Sequence, residues 1–105
     1  MALKIIWSEL AESELDDIYE FYEKIASIKV AKKLVNAIIN EPNKLIKTPE
    51  IGEKEPFLKH REIEYRYLVF RNYKLIYSVD YKKGCIKIAD VFDTRQNPIN
   101  LNRTK

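Results

Sequence analysis

Hydrophobic and polar positions in the first third of the chain predict one short strand followed by a helix. Residues 3–7 are rich in β-branched and aromatic side chains, which favours a strand. Ser8 is placed to cap the following helix, because its hydroxyl can accept a hydrogen bond from an amide of the first turn. Apolar residues then recur at alternating spacings of four and three, the period of one helical face. These positions are Ala11, Leu15, Ile18, Tyr22 and Ile25.

A second helical pattern begins near Ser27. Its apolar face comprises Ile28, Ala31, Leu34, Val35, Ile38 and Ile39. Because only two or three residues separate the two helices, we expect an antiparallel hairpin. Pro42 should kink or restart the second helix, since proline has no amide hydrogen to donate. Residues 49–60 contain two prolines and one glycine, and we interpret them as a loop.

The second half of the chain is β-patterned. Residues 63–70, 73–81 and 85–92 have the composition of strands, and short turns at 71–72 and 82–84 separate them. Strands joined by tight turns are antiparallel. The order is therefore β-α-α-β-β-β, in one domain over residues 1–105. The predicted fold class is α+β, with an N-terminal helical hairpin packed on a mainly antiparallel four-stranded sheet.

Charge is strongly segregated along the chain, although the net charge is only +3. Residues 9–23 contain seven acidic residues and no Lys or Arg, whereas residues 57–105 contain 11 Lys or Arg against five acidic residues. A basic half of this kind suits an anionic partner, either a nucleic acid or an acidic protein segment. The alternative is a solvated surface on which charges of both signs keep the protein soluble.

Several classes of function are excluded by residues that the chain lacks. One cysteine, Cys85, and one histidine, His60, cannot form a disulfide or the usual Cys/His metal cage. The nucleotide-binding and hydrolase motifs GxGxxG, P-loop, GxSxG and HExxH are missing. We therefore expect no metal and no cofactor. No apolar run reaches the ~18–20 residues of a membrane span, and the early acidic residues are unlike a signal peptide. We expect a cytoplasmic protein.

Three basic residues are candidates for binding a phosphodiester. Arg66 and Lys74 lie on neighbouring predicted strands, and Arg95 follows the last strand. If they converge, they could stabilise charge developing on a phosphate, which the Arg fork can bind through two oxygens. Aromatic residues that could stack on bases are Tyr65, Tyr67 and Tyr73. The alternative is that the cations are ordinary cross-strand partners of Asp80, Asp90 or Asp93.

Four segments in this order resemble the RelE/ParE superfamily of bacterial type II toxin–antitoxin toxins, in its ParE-type branch. The first is Ile5-Ile6-Trp7-Ser8 with Ala11 and Leu15, and the second is Leu45, Pro49 and Gly52. The third is Tyr65-Arg66-Tyr67-Leu68 followed by Asn72-Tyr73-Lys74-Leu75-Ile76-Tyr77. The fourth is Val91-Phe92-Asp93-Thr94-Arg95-Gln96-Asn97-Pro98. Together they span about residues 3–98.

The resemblance implies a toxin that is silenced by a cognate antitoxin, with one of two mechanisms. RelE-like members cleave mRNA in the ribosomal A site, whereas ParE-like members inhibit DNA gyrase and are not enzymes. Lys74 falls where the family has a strand Arg or Lys, Arg95 where it has an Arg after the last strand, and Arg66 at a neighbouring basic position. RelE-like nucleases usually carry a Tyr or His near the C-terminal end, and residues 85–105 contain neither.

We therefore predict a ParE-like growth inhibitor that binds a protein target such as DNA gyrase. The alternative is a RelE-like, ribosome-dependent mRNA endonuclease with Arg66, Lys74 and Arg95 as catalytic residues, so whether the chain is an enzyme stays open. A third possibility is a degenerate member that only binds an antitoxin. The predicted partner- and target-binding residues are Arg61, Arg66, Arg71, Lys74, Tyr77, Arg95 and Gln96.

The predicted partner common to all three hypotheses is a cognate antitoxin, in a toxin–antitoxin hetero-oligomer. Its C-terminal segment would be disordered until bound and would wrap the basic half of the chain. Such a segment would be acidic, so affinity should fall with added salt. It could also add a strand to a free edge of the sheet.

Overall fold

The computed structural model describes residues 2–105 and has the predicted α+β order. Strand β1 (Lys4–Trp7) leads into helix α1 (Glu9–Ile25), and helix α2 (Ile28–Asn40) follows after a two-residue turn. The remaining strands are β2 (Glu53–Lys54), β3 (Arg66–Phe70), β4 (Tyr73–Asp80) and β5 (Cys85–Asp93). Short 3-10 helices lie at Glu41–Leu45, Pro56–Leu58 and Pro98–Arg103.

Both helices begin at the predicted capping serines. The Ser8 Oγ accepts a hydrogen bond from the Ala11 amide at 3.1 Å, and the Ser27 Oγ accepts one from the Val30 amide at 3.1 Å. The Ser8 hydroxyl also donates to the Ala89 carbonyl at 2.8 Å, so the cap attaches the start of α1 to β5. Pro42 acts as predicted, because α2 ends at Asn40 and a 3-10 turn with Pro42 near its start replaces it.

The sheet has five strands in the order β1-β5-β4-β3-β2, so the predicted count of four is wrong. The additional strand is β2, which pairs antiparallel with β3 inside the segment interpreted as a loop. Two residues are too few to show the alternation by which a strand is recognised in a sequence. β1 pairs in parallel with β5, and the other pairings are antiparallel. The first and last strands of the chain are therefore neighbours.

A hydrophobic core lies between the helical hairpin and one face of the sheet. Ala11, Leu15 and Ile18 of α1 are buried there, as predicted. Ile25 and Ile28, in contrast, are 61% and 54% exposed. They lie at the turn of the hairpin, beyond Ile18, which is the last buried residue of α1. The predicted apolar stripes are therefore correct in phase and too long at the turn between the helices.

A second, smaller core covers the opposite face of the sheet. It consists of Leu58, Tyr65, Ile76, Ala89, Phe92 and Leu101. The last eight residues, 98–105, form a C-terminal segment that lies on this face. Its Arg103 guanidinium donates to both carboxylate oxygens of the fully buried Asp90, at 3.0 and 3.1 Å, and contacts Glu14 at 3.0 Å. These pairings attach the C-terminal segment to β5 and α1.

Candidate functional site

The predicted basic residues of the two middle strands lie on opposite faces of the sheet. Arg66 is paired with Tyr77, and Lys74 is paired with Val69. Residues directly opposite each other in a ladder share a face, and the faces alternate along each strand. Arg66 therefore shares the face of Leu68 and the hairpin core, whereas Lys74 is on the face of the smaller core. These two side chains therefore do not converge on one group, as binding of a phosphodiester between them would require.

The sequence contained the signal for this separation. A two-residue turn places Phe70 opposite Tyr73, which fixes the register of β3 and β4. Arg66 lies four residues before Phe70 and so shares its face, whereas Lys74 lies one residue after Tyr73 and takes the other face. Counting residues outward from the Arg71-Asn72 turn therefore assigns Arg66 and Lys74 to opposite faces of the sheet.

Arg66 connects the segment before β2 to β3. Its Nε donates to the Glu64 carboxylate at 2.9 Å, and its Nη1 donates to the carbonyls of Gly52 and Glu50 at 2.7 and 3.1 Å. The side chain is only 17% exposed. With these donors already occupied, Arg66 stabilises the folded chain by fixing the residues that precede and begin β2.

Lys74 neutralises a buried carboxylate. Its Nζ lies 2.9 Å from Oε2 of Glu55, whose side chain is fully buried, and 4.2 Å from the centre of the Tyr67 ring. The other oxygen of Glu55 accepts from the Phe57 amide at 3.2 Å. A buried carboxylate without a cation is costly, so the geometry gives Lys74 a structural task.

Arg95 lies on the surface beyond β5 and is 68% exposed. Its guanidinium donates two hydrogen bonds to the Asp93 carboxylate, from Nε to Oδ1 at 3.0 Å and from Nη2 to Oδ2 at 2.6 Å. This hydrogen bonding lowers the pKa of Asp93 from 3.8 to about 2. Asp93 is opposite Tyr73 in the ladder. Arg95 therefore lies near the Phe70–Tyr73 end of the sheet, about 13 Å along the strands from Arg66.

Tyr77 is a correction to the predicted partner-binding set. The side chain is fully buried in the hairpin core. Its hydroxyl donates to the Pro49 carbonyl at 2.7 Å and accepts from the Gly52 amide at 3.0 Å. A buried ring with a satisfied hydroxyl cannot contact a partner on the surface of this fold.

The other predicted partner-binding residues are scattered. Arg61 donates to the carbonyls of Thr104 and Asn102 at 2.5 and 2.8 Å, and so attaches the C-terminal segment. Arg71 is exposed in the turn between β3 and β4, and Gln96 is exposed just beyond β5. Arg71 and Arg95 thus lie at the same end of the sheet. Arg61 lies elsewhere, with the C-terminal segment on the sheet face that carries the smaller core.

The predicted base-stacking tyrosines are mostly covered. Tyr65 and Tyr73 are each only 4% exposed, so neither presents a ring face to a base. Tyr67 is half-buried, and its hydroxyl donates to the Glu53 carboxylate at 2.9 Å. The prediction that tyrosines on the sheet stack on bases is therefore wrong for Tyr65 and Tyr73.

An apolar groove of about 590 Å³ runs alongside β1, and it was not predicted from the sequence. It is lined by Ile5, Ile6, Trp7, Glu12, Leu15, Asp16, Tyr19, Val35 and Ile39. Within residues 2–105, β1 pairs only with β5, so its outer edge has free backbone groups. The half-exposed Ile6 in a short β-branched strand was the available signal. Such an edge with an adjoining apolar groove can accept an added strand.

Residues 2–105 contain no cluster of three His, Cys, Asp or Glu side chains arranged to hold a metal ion. No helix in the same range combines the length and the apolar character required to span a membrane.

Comparison with known proteins identifies the family. Residues 5–98 match the family model described as "ParE toxin of type II toxin-antitoxin system, parDE". The fold is similar to a chain from the "Chromosomal ParDE TA system from P. aeruginosa", with a TM-score of 0.71 and 20% sequence identity. That likeness covers 87% of this chain and 95% of the other, and at this identity it concerns the fold alone. No curated protein sequence matches. The family match covers most of the chain, and the chain therefore belongs to the ParE toxin family of type II toxin–antitoxin systems.

Proposed function

We propose that the protein is a growth inhibitor that acts by binding a protein target, such as DNA gyrase, and that a cognate antitoxin neutralises it. Family membership supports the toxin role. The choice of binding over catalysis is supported by the geometry of the three basic residues that a nuclease would need.

The observation that carries the proposal is the separation of Arg66 from Lys74. A phosphodiester held for cleavage requires donors that converge on one group. Here the two cations lie on opposite sheet faces, and both are already paired with carboxylates. Arg95 is also occupied, by Asp93. These pairings favour a protein that inhibits through its surface.

The test is inducible expression in bacteria, with plasmid supercoiling and mRNA integrity measured in the same arrested cells. We expect growth arrest with relaxed DNA and intact mRNA. Normal supercoiling in arrested cells would contradict gyrase as the target. Normal growth, with the folded protein present, would contradict the toxin role and leave a member that only binds its antitoxin.

Matched variants separate the two mechanisms. Arg95→Ala removes one candidate catalytic cation, and Lys74→Gln combined with Glu55→Gln removes another without leaving a buried carboxylate unpaired. Lys82→Ala, in the exposed β4–β5 turn, is the control. We expect intact mRNA with all three. Cleavage by the control and the parent protein that disappears in both other variants would establish the RelE-like mechanism.

One observation favours the nuclease alternative at Arg95. Tyr22 and Tyr73 lie in the electrostatic surroundings of the Arg95 guanidinium, and either hydroxyl could replace the Tyr or His that residues 85–105 lack. Burial, together with Tyr22, raises the pKa of Tyr73 to about 12, so this hydroxyl is a weaker acid than an ordinary tyrosine. It would act in its protonated form, as a hydrogen-bond donor to the leaving group. If this is its role, Tyr73→Phe abolishes mRNA cleavage while the protein still folds; cleavage retained in Tyr73→Phe would contradict it.

We propose that the antitoxin adds a strand to the free edge of β1 and fills the groove beside it. The unpaired backbone groups of β1 would form hydrogen bonds with the added strand, and Ile6 and Trp7 would make apolar contacts with it. Ile6→Asp should weaken the complex strongly, because it places a charge in the groove. Ile99→Asp is the control, since Ile99 is also exposed and lies in the C-terminal segment. Equal affinity of the two variants for the antitoxin would contradict this docking site.

A further inference from the structure

A second concave surface lies at the turn end of the helical hairpin, away from the groove of β1. It is a pocket of about 300 Å³ between the two helices and the turn that joins β3 and β4. The lining residues are Tyr22, Val30, Lys33, Leu34, Arg71, Asn72 and Tyr73. Its walls are therefore aromatic and aliphatic, and its two charged residues, Lys33 and Arg71, are both cations.

Two cations of this pocket are unpaired. Lys33 of α2 and Arg71 of the turn form no ion pair with any carboxylate within residues 2–105. The Asn72 side chain, beside them, helps to lower the pKa of Asp93, so its amide lies toward that carboxylate. The pocket thus carries two unpaired positive charges on separate elements, which an anionic group could neutralise.

The backbone of Arg71 supports a role for its side chain. Arg71 has a φ of 54°, in the left-handed region that favours glycine or asparagine. It occupies the first position of a two-residue hairpin turn, where glycine would remove the strain. The guanidinium carbon lies 5.4 Å from the centre of the Phe70 ring, which holds the charge against the sheet end. A non-glycine residue with positive φ is strained, and such strain is concentrated at functional sites, so its place in the pocket lining points to function.

The surroundings indicate which kind of partner supplies the acceptor. Large apolar side chains are exposed at this end of the hairpin, at Phe21, Ile25, Ile28 and Val30. A clustered apolar surface of this kind marks contact with another protein. Single-stranded nucleic acid is bound largely by stacking on exposed aromatic faces, and the Tyr73 ring is only 4% exposed. The pocket thus fits an acidic side chain with apolar neighbours.

We infer that this pocket binds a carboxylate side chain, flanked by apolar residues, of a protein partner. Lys33 and Arg71 would hold the carboxylate, and the exposed hairpin residues would contact its neighbours. The identity of the partner, as the target whose inhibition stops growth, rests on the proposed function. The specificity of the pocket for a carboxylate does not depend on that function.

The binding test uses the full chain and a short probe. Blocked peptides of leucine–glutamate–leucine and leucine–glutamine–leucine are titrated into ¹⁵N-labelled protein, with inorganic phosphate as a third probe. We expect the glutamate peptide to shift the amides of Lys33, Arg71 and Asn72 saturably and to bind about tenfold more tightly than the glutamine peptide. Equal affinity of both peptides, shifts elsewhere, or preference for phosphate would overturn the proposal.

Two substitutions and a control test the residues themselves. Arg71→Gly removes the charge and relieves the backbone, so it should raise the melting temperature while weakening the glutamate peptide about tenfold. Lys33→Gln should weaken it similarly, and Lys32→Gln, exposed on the same helix outside the lining, should leave it unchanged. Unaltered binding by a more stable Arg71→Gly variant would overturn the role of Arg71.

Growth assays distinguish this inference from the proposed function. Induced Arg71→Gly/Lys33→Gln protein should no longer arrest growth, while its affinity for the antitoxin is retained. If the parent protein fails to arrest growth, the proposed function fails, and the peptide titration still decides whether the pocket binds a carboxylate. If the parent arrests growth and the double variant does so equally, the pocket is not the target-binding site.

Discussion

Two buried carboxylates show how single residues stabilise this fold. Glu55 and Asp90 are almost completely inaccessible to solvent, and each lies beside a cation, Lys74 and Arg103 respectively. Removal of one partner from a buried pair leaves an uncompensated charge, which costs far more than an exposed pair contributes. Sequence reasoning identified Lys74 as a phosphate-binding candidate, because the burial of Glu55 depends on the packing of a loop and leaves no local pattern.

The first prediction concerns Lys74. Lys74→Ala should lower the free energy of unfolding by about 3–5 kcal/mol, because it leaves Glu55 charged and buried. Urea denaturation of the purified protein measures this. The Glu55→Gln/Lys74→Gln variant is the control and should recover most of the loss. A Lys74→Ala variant within about 1 kcal/mol of the parent would contradict the structural role.

The second prediction concerns the pH dependence of Asp93. The hydrogen bonds from Arg95 lower the pKa of Asp93 to about 2, below its usual value of 3.8. The carboxylate therefore stabilises the folded state above about pH 4, and that contribution disappears as the pH falls toward 2. In Arg95→Ala the pKa of Asp93 should rise toward 3.8. Carbon-detected NMR titration of the side chain tests this, and an unchanged midpoint would show that another group holds Asp93.

At the scale of elements, capping residues and helical phase were predictable, and short or irregular pieces were not. Ser8, Ser27 and Pro42 act locally, within one turn of where they stand in the sequence, so their effects could be inferred. β2 is held by partners distant in sequence, Tyr67 and Arg66. The C-terminal segment depends on Arg61 and Asp90 in the same way. Long-range pairing of this kind is absent from any local pattern.

The third prediction concerns the close approach of the segment before β2 to β4. A Cβ atom added at Gly52 would lie 2.6 Å from the Tyr67 carbonyl oxygen and 2.6 Å from the Tyr77 hydroxyl. Gly52→Ala should therefore destabilise the fold by about 1–3 kcal/mol, through strain and loss of the Tyr77 hydrogen bond. Gly84→Asn is the control, since asparagine tolerates the left-handed turn found there. Equal denaturation midpoints for Gly52→Ala and the parent would contradict this packing.

At the scale of the molecule, the fold was predictable and the arrangement of the site was only partly so. Element order and class follow from hydrophobic periodicity, which many residues share. A site depends on which face each strand residue takes, and one register change moves a side chain to the opposite face. The charge segregation was visible in the sequence, but the structure adds that the acidic residues Glu12 and Asp16 border the groove of β1.

The fourth prediction follows from that border. If the proposed antitoxin strand occupies the groove, it lies beside Glu12 and Asp16, which would attract basic residues of that strand. This strand would then be a different part of the antitoxin from the acidic segment expected on the basic half of the chain. Glu12→Gln/Asp16→Asn should slow association at low salt and reduce its salt dependence, with little change in dissociation. Stopped-flow binding at several salt concentrations measures both rates. The matched control is Glu20→Gln/Glu23→Gln on the same helix, outside the groove, and an equal effect of the two pairs would contradict docking beside β1.

The parallel pairing of β1 with β5 has a consequence for the order of folding. The two strands stand at opposite ends of the described sequence, and β5 is the one sheet partner of β1 within residues 2–105. Contacts between residues this far apart carry a large loop-closure cost, so β1 should join the sheet after the β3–β4–β5 meander has formed. One wall of the groove is then completed in a late step of folding, and a partly folded chain has no groove for an added strand.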